Sequence, residues 1–345
     1  MLTLLLSSSR VAPGLLSWQA WSVLRDASVV LTGSAEHALV PALAEAGVVA
    51  EVVDVDFAAE PEVLAAELTS AAIAVLSAPG VLGEGPAVWL MPPGAGASAE
   101  LLGALASASE IPVRVVHGSR DLPGAHLLDV VAIMDKLRVS CPWDREQTHE
   151  SLLKYLLEET YEAAEAIETS DWPSLREELG DVLFQTVFHA RVAAERGAAA
   201  GGFTIDDVAD ELAAKLVRRH PHVFASVAVS SADDVNRNWE EIKKAEKAKR
   251  AEESGSGPAS VLDGVAFGQP ALSLAAQLQR RAERAGAPVA TGGPDSGGAG
   301  ADGIGDELMR VVARAGAAGV DPEIALREAA RRYAERVHEW ERSAG

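Results

Sequence analysis

The chain has 345 residues, with 51 acidic against 30 basic side chains and a formal net charge of -21. That surplus argues against nucleic acid or an anionic membrane as a general partner, and an anionic substrate would need local cations or a metal. An apolar fraction of 48% argues against disorder, and the length predicts two or three domains.

In chain order, "MLTLLLSSSR" has an apolar run with no basic flank and is too short to span a membrane, so it predicts a first β-strand rather than a signal peptide. Residues 1–125 contain no lysine and alternate short apolar runs with helical stretches. "WSVLRDASVVLTGS", "VVAEVVDVDF", "AAIAVLSAPG" and "PAVWLMPPG" predict buried strands; "AEHALVPALAEAG" and "EPEVLAAEL" predict helices. The alternation predicts a small parallel α/β domain over 1–125, with "VVHGSRDLPGAH" as the connector.

From Leu127 the pattern becomes helical. "QTHESLLKYLLEETYEAAEAI" begins at an N-cap, Thr148. The next helix, "TSDWPSLREELGDVLFQTVFHARVAAERG", has Ser174 and Glu177 at capping-box spacing. A third has Thr204 and Asp207 as its caps and is closed by Pro221, and a fourth starts near Ser231. The fold class is therefore α+β and multidomain: an all-α helical bundle over 127–250 preceded by the α/β segment. Residues 251–269 form a linker containing "GSGPAS", and 270–345 hold further helical pieces around the low-complexity "ATGGPDSGGAGADG". Cys141 is the sole cysteine, so no internal disulfide can form; this predicts a reducing, cytoplasmic setting and a packing role in preference to a catalytic thiol.

The acids stand out. Glu158, Glu159 and Glu162 lie on one helix, where positions three and four apart share a face. Alone they could be a solvated surface. The following helix is apolar nearly all round, through Leu179, Val182, Leu183, Phe184, Val187 and Phe188, which predicts burial. Yet Glu178, Asp181, Gln185 and His189 run along one stripe of it, and Gln185 and His189 are expected to satisfy that inner polar stripe. Buried carboxylates are costly unless paired or bound to a cation. Two antiparallel helices would bring Glu159, Glu162, Glu178 and Asp181 together as a four-carboxylate cage in a mostly dry pocket. Oxygen ligands of this kind suit Mg²⁺ or Mn²⁺, and open positions on such an ion usually mean phosphate chemistry. A di-iron bundle would need a Glu-x-x-His motif, which neither helix has.

The blocks "CPWDREQTHESL", "LEETYE", "LREELGDVLFQTVFHA", "KLVRRHPHVF" and "NWEEIKKAEK" together resemble the MazG nucleoside triphosphate pyrophosphohydrolases, in family order over about residues 127–250. The resemblance implies Mg²⁺-dependent hydrolysis of an NTP to NMP and pyrophosphate, with Glu159, Glu162, Glu178 and Asp181 as metal ligands. Glu158 is the added acid that orients the attacking water or holds another metal. Arg218, Arg219 and Lys243 are implied as triphosphate binders. The other reading of the two arginines is a helix C-terminal charge pair, and that of Lys243, Lys244 and Lys247 a solvated helix face. His220 and His222 are expected to be structural. Trp143 is expected either to stack on the base or to fill the helix entry. The resemblance also implies a homodimer and a broad housecleaning activity on nucleoside triphosphates. A narrower dUTP or modified-dNTP pyrophosphatase and a non-catalytic nucleotide-binding scaffold remain alternatives.

Residues 270–345 resemble a degenerate second MazG unit. "GDELMRVVARAG" echoes "GDVLFQTVFHAR", but Gly303 stands where Glu178 stands in the first copy and only Asp306 is kept, so this half is expected to hold no metal. The N-terminal segment faintly resembles about half of a tetrapyrrole methylase domain, with "SSSRVAPG" in place of the glycine-rich loop, and is expected to transfer no methyl group.

Overall fold

The computed structural model describes residues 1–77, 85–94, 96–108, 111–225, 227, 229–231, 234–235, 237–243, 245–246, 260–287 and 301–344. The chain forms two compact units, Met1–Asp210 and Glu211–Gly345.

The first unit opens with a five-stranded sheet of β1 (Leu2–Leu6), β2 (Val29–Thr32), β3 (Ala50–Val52), β4 (Ala87–Leu90) and β5 (Val113–His117), in the order β3-β2-β4-β1-β5. Every pairing is parallel, with Leu4 opposite both Trp89 and Val115. Parallel strands need crossovers, and helices supply them. On one face α3 (Pro61–Leu76) and α4 (Ala99–Ala108) cover Leu2, Leu4, Leu31 and Trp89. On the other, α1 (Trp18–Arg25) and α2 (Val40–Glu45) cover Leu5, Val30, Val88 and Leu90. Trp89 is fully buried, and its indole N–H donates to the Leu68 carbonyl at 3.0 Å. Every residue of β1 and β4 is buried, because both faces are covered.

Three expectations are corrected here. "AAIAVLSAPG" is not a strand: residues 71–76 complete α3, which starts with Pro61 in its first turn and buries Leu64, Ala65, Leu68 and Ala72 on one face. "WSVLRDASVVLTGS" divides into helix α1, capped by Ser17, and strand β2. The expected connector "VVHGSRDLPGAH" begins inside β5.

A helical array follows: α5 (Leu127–Ser140), α6 (Pro142–Glu146), α7 (His149–Thr169) and α8 (Trp172–Ala194). Thr148 caps α7 through a reciprocal capping box with Ser151. The cap of α8 is Asp171, whose side chain accepts from the Ser174 N–H at 3.2 Å, so Ser174 lies inside the helix and not at its start. Between the two helices Ser170 adopts the left-handed conformation, φ 57°. A turn this short makes α7 and α8 antiparallel neighbours. Their shared core is Met134, Leu152, Val187 and Phe188. The loop after β1 is tied to this array: Arg10 ion-pairs with Asp121 and, from Nε at 2.9 Å, with Asp129 on α5.

Arg138 fixes the entry to α7. Its guanidinium is buried, holds Glu195 at 2.8 and 2.9 Å, and donates to the carbonyls of Asp144 and of Gln147, the latter at 3.0 Å. Arg138→Met strands two carbonyls and a carboxylate, and is expected to lower stability by about 2–4 kcal/mol, seen as a shift of the urea midpoint.

Across the boundary between the units runs α9 (Ile205–Arg219), entered by a reciprocal Thr204–Asp207 capping box and followed by the short helix α10 (Pro221–Phe224). The second unit contains the helices Ala271–Arg284, Ala301–Ala317 and Pro322–Ala344. The stretch 247–259, with Lys247 and the expected "GSGPAS" linker, and the low-complexity stretch 290–300 lie outside the described residues, as does Lys244.

Candidate functional site

The α7–α8 pair brings three of the four expected acids together, Glu162 standing outside the cluster. Carboxylate oxygens of Glu159, Glu178 and Asp181 lie within 4.8 Å of one another. Among the described residues, none of the three has a basic partner. Glu162 stands one turn along α7, near enough to hydrogen-bond to Glu159, and its charge reaches Glu178 as well. Burial, and then the negative field of Asp181 and Glu162, raises the Glu159 carboxyl above the usual carboxylate range. Burial, then Glu162 and Asp181, raises Glu178 in the same way.

The pocket is not dry. Glu159, Glu178 and Asp181 are half-buried, Glu162 and Glu158 are exposed, and Leu179 is 54% exposed. In the first half of α8 Trp172 and Leu179 are exposed and Leu175, Val182 and Leu183 are half-buried, and full burial begins only at Gln185. Solvent access lowers the cost of an unoccupied acid cluster without removing the repulsion that raises both carboxyls. Hard oxygen donors with unneutralised charge and raised proton affinity fit a divalent cation such as Mg²⁺ or Mn²⁺.

Away from the acids, the seam between the helices stays polar. His149 and His189 share a hydrogen bond between their Nδ1 atoms at 2.8 Å, with coplanar rings and centroids 5.1 Å apart. Burial, and then His149, depresses the His189 imidazole. The inner polar stripe is not satisfied as expected: Gln185 Oε1 and His189 Nε2 are buried without a partner. Trp143 is 47% exposed and packs edge-on against Tyr155 and Phe188, with centroids at 5.8 and 6.4 Å. Cys141 is a free, half-buried residue between α5 and α6.

The expected triphosphate binders lie in the second unit. Arg218 and Arg219 both grip Glu246, at 2.6 Å each. The two guanidinium groups hold the Glu246 carboxyl down at about 2, Arg219 contributing most. Arg219 and Lys243 also sit over the ring of Trp239, 5.2 and 4.8 Å from its centroid. Sequence reasoning missed the partner of these arginines, Glu246, which lies three residues after Lys243 in the same block. His220 donates through Nδ1 to the Leu216 carbonyl at 2.7 Å and packs against His222, whose Nδ1 is buried without a partner among the described residues.

A family model described as the MazG nucleotide pyrophosphohydrolase domain matches residues 147–224, which contain all five acids. The chain is 48% identical to an uncharacterized 26.1 kDa protein in the blaB 3′ region of Streptomyces cacaoi, over 65% of this chain and 86% of that one. It is 40% identical to the nucleoside triphosphate pyrophosphohydrolase/pyrophosphatase MazG of Thermotoga maritima, over 62% of this chain and 84% of that protein. It is 47% identical to the nucleoside triphosphate pyrophosphohydrolase of Mycobacterium tuberculosis, where the match spans 51% of this chain and only 50% of the relative's length. The domain match, and a relative matched over most of its length, place this chain in the MazG family of nucleoside triphosphate pyrophosphohydrolases, hydrolases that act on acid anhydrides.

Proposed function

We propose that this protein is a Mg²⁺-dependent pyrophosphohydrolase of broad range, converting nucleoside triphosphates to the monophosphate and pyrophosphate. The observation that carries this reading is the convergence of Glu159, Glu178 and Asp181, without a basic partner among the described residues, in a chain of this family. With Glu162 they would hold Mg²⁺, or Mn²⁺ in its place. The bound ion would neutralise phosphate charge and polarise the anhydride.

The chain's own residues do the rest. Water adds across the anhydride between the α and β phosphates: its oxygen stays on one fragment, and pyrophosphate leaves. Glu158, exposed and next in sequence to Glu159, is assigned to orient that water or to hold another metal. Trp143 offers a half-open aromatic edge to the base. Family resemblance alone supports assigning Arg218, Arg219 and Lys243 to the triphosphate; in this structure both guanidinium groups are held by Glu246. A second copy is the expected partner. Leu153, Leu157 and Tyr161 form an exposed apolar stripe on α7, 53%, 47% and 43% accessible, as a homodimer surface would. Among the described residues no helix is long and apolar enough to cross a membrane, and a cytoplasmic setting is proposed.

The test is pyrophosphate release from a panel of ribo-, deoxy- and oxidised nucleoside triphosphates, with and without Mg²⁺. Turnover of many members only with the ion is expected. Turnover of dUTP or of one modified dNTP alone would replace the broad reading with the narrow one. Nucleotide binding without turnover would make the chain a scaffold.

A further inference from the structure

Gln185 is the most deeply buried polar side chain on the working face of α8, at 4% exposure. Its Oε1 has no hydrogen-bond donor. A buried acceptor without a donor costs about 1–3 kcal/mol, so its presence beside a reactive cluster needs a reason.

The position supplies one. Glu159 meets Asp181 at one end of the α7–α8 seam, and His149 meets His189 at the other. That register sets Gln185 level with Tyr155, one helical turn from Asp181, or about 6 Å along the axis. Trp143 packs against Tyr155 and against Phe188, three residues beyond Gln185. The unpartnered amide oxygen therefore belongs to the α8 face that carries Asp181, one turn further towards the residues that Trp143 packs against.

We propose that Gln185 is a nucleoside-recognising residue, its Oε1 accepting a hydrogen bond from an N–H on the pairing edge of the base while Trp143 covers the ring. This rests on the pyrophosphohydrolase reading above. Every nucleobase carries such an N–H, as an amino or imino group, so one acceptor serves all of them and fits a broad range. The acid cluster serves the phosphate end, and Gln185 holds the base.

The test compares two product inhibitors of the full-length protein, nucleoside monophosphate and pyrophosphate, in the parent and in Gln185→Met and Gln185→Leu. Both substitutions keep similar volume and remove the amide, so melting temperatures at or above that of the parent are expected. The inhibition constant for AMP and for UMP is expected to rise about 10-fold, as loss of one good hydrogen bond predicts, while that for pyrophosphate stays unchanged. Unchanged monophosphate inhibition in the variants would overturn the proposal and leave Gln185 holding a structural water. An equal rise for both inhibitors would overturn it too, because it would report a distorted acid cluster. A parent protein inhibited by pyrophosphate but by no monophosphate would also sink it. Absence of parental turnover would instead sink the enzymatic reading, and this inference with it.

Discussion

Glu159→Gln and Asp181→Asn are expected to lose nucleoside triphosphate turnover by at least about 10²-fold, and in metal-free buffer to melt at a higher temperature than the parent. The two effects have one cause. The three acids sit close together with no basic partner among the described residues. Removing one charge relieves the repulsion that raises Glu159 and Glu178, so the empty protein gains stability. The same substitution removes a ligand oxygen from the ion. A steady-state assay paired with thermal melts in chelator reads both. Loss of activity with a lower metal-free melting temperature would mean that the acids are structural. Retained activity would mean that they are bystanders.

Mg²⁺ is expected to stabilise the parent strongly near pH 7.5 and hardly at all near pH 4.5. The sign follows from linkage. Glu159 and Glu178 titrate higher in the folded chain than the ordinary glutamate value of 4.5. Their contribution to stability is therefore complete below about 4.5 and is lost as pH rises through their raised folded values. At neutral pH both are ionised and repel, and an ion that binds only the folded state offsets that penalty. At a free Mg²⁺ concentration of 100 times Kd the gain is about 2.7 kcal/mol, several degrees in melting temperature. In acid, protons occupy the same oxygens and the ion's advantage disappears. His189 acts in the opposite direction on the empty protein: its depressed imidazole adds stability above 6.5 and loses it as pH falls through its lowered folded value. Melts with and without Mg²⁺ between pH 4.5 and 8 measure both. An Mg²⁺ increment independent of pH would contradict the assignment.

The acid cluster was legible because helical spacing is a strong constraint. Once Glu159, Glu178 and Asp181 are placed on two helices joined by a two-residue turn, little freedom remains in where their oxygens can go. The solvation of the cluster was not legible. The apolar run from Leu179 onward reads as a buried helix, but Leu179 is exposed and Gln185 is the first fully covered residue. Hydrophobicity shows which side chains prefer burial, while the packing partners decide which of them obtain it. The α/β segment shows the same limit. In residues 71–76 a continuous apolar run fits a buried strand or a buried helix, and Pro61 with one buried face from Leu64 to Ala72 decides for helix. β5 was hidden because it is an edge strand with Arg114 and His117, polar residues that such edges commonly carry. The His149–His189 bond and the grip of Glu246 on Arg218 and Arg219 join residues 27 to 40 positions apart, and no local pattern announces such pairs.

Titration of Mn²⁺ into the metal-free protein, followed by the loss of the free-ion electron paramagnetic resonance signal, measures the two-helix acid site directly. Binding to the parent is expected, displaced by excess Mg²⁺ and abolished in Asp181→Asn, while Glu246→Gln binds as the parent does. Equal binding by the parent and Asp181→Asn would show that the ion, if the enzyme uses one, sits elsewhere.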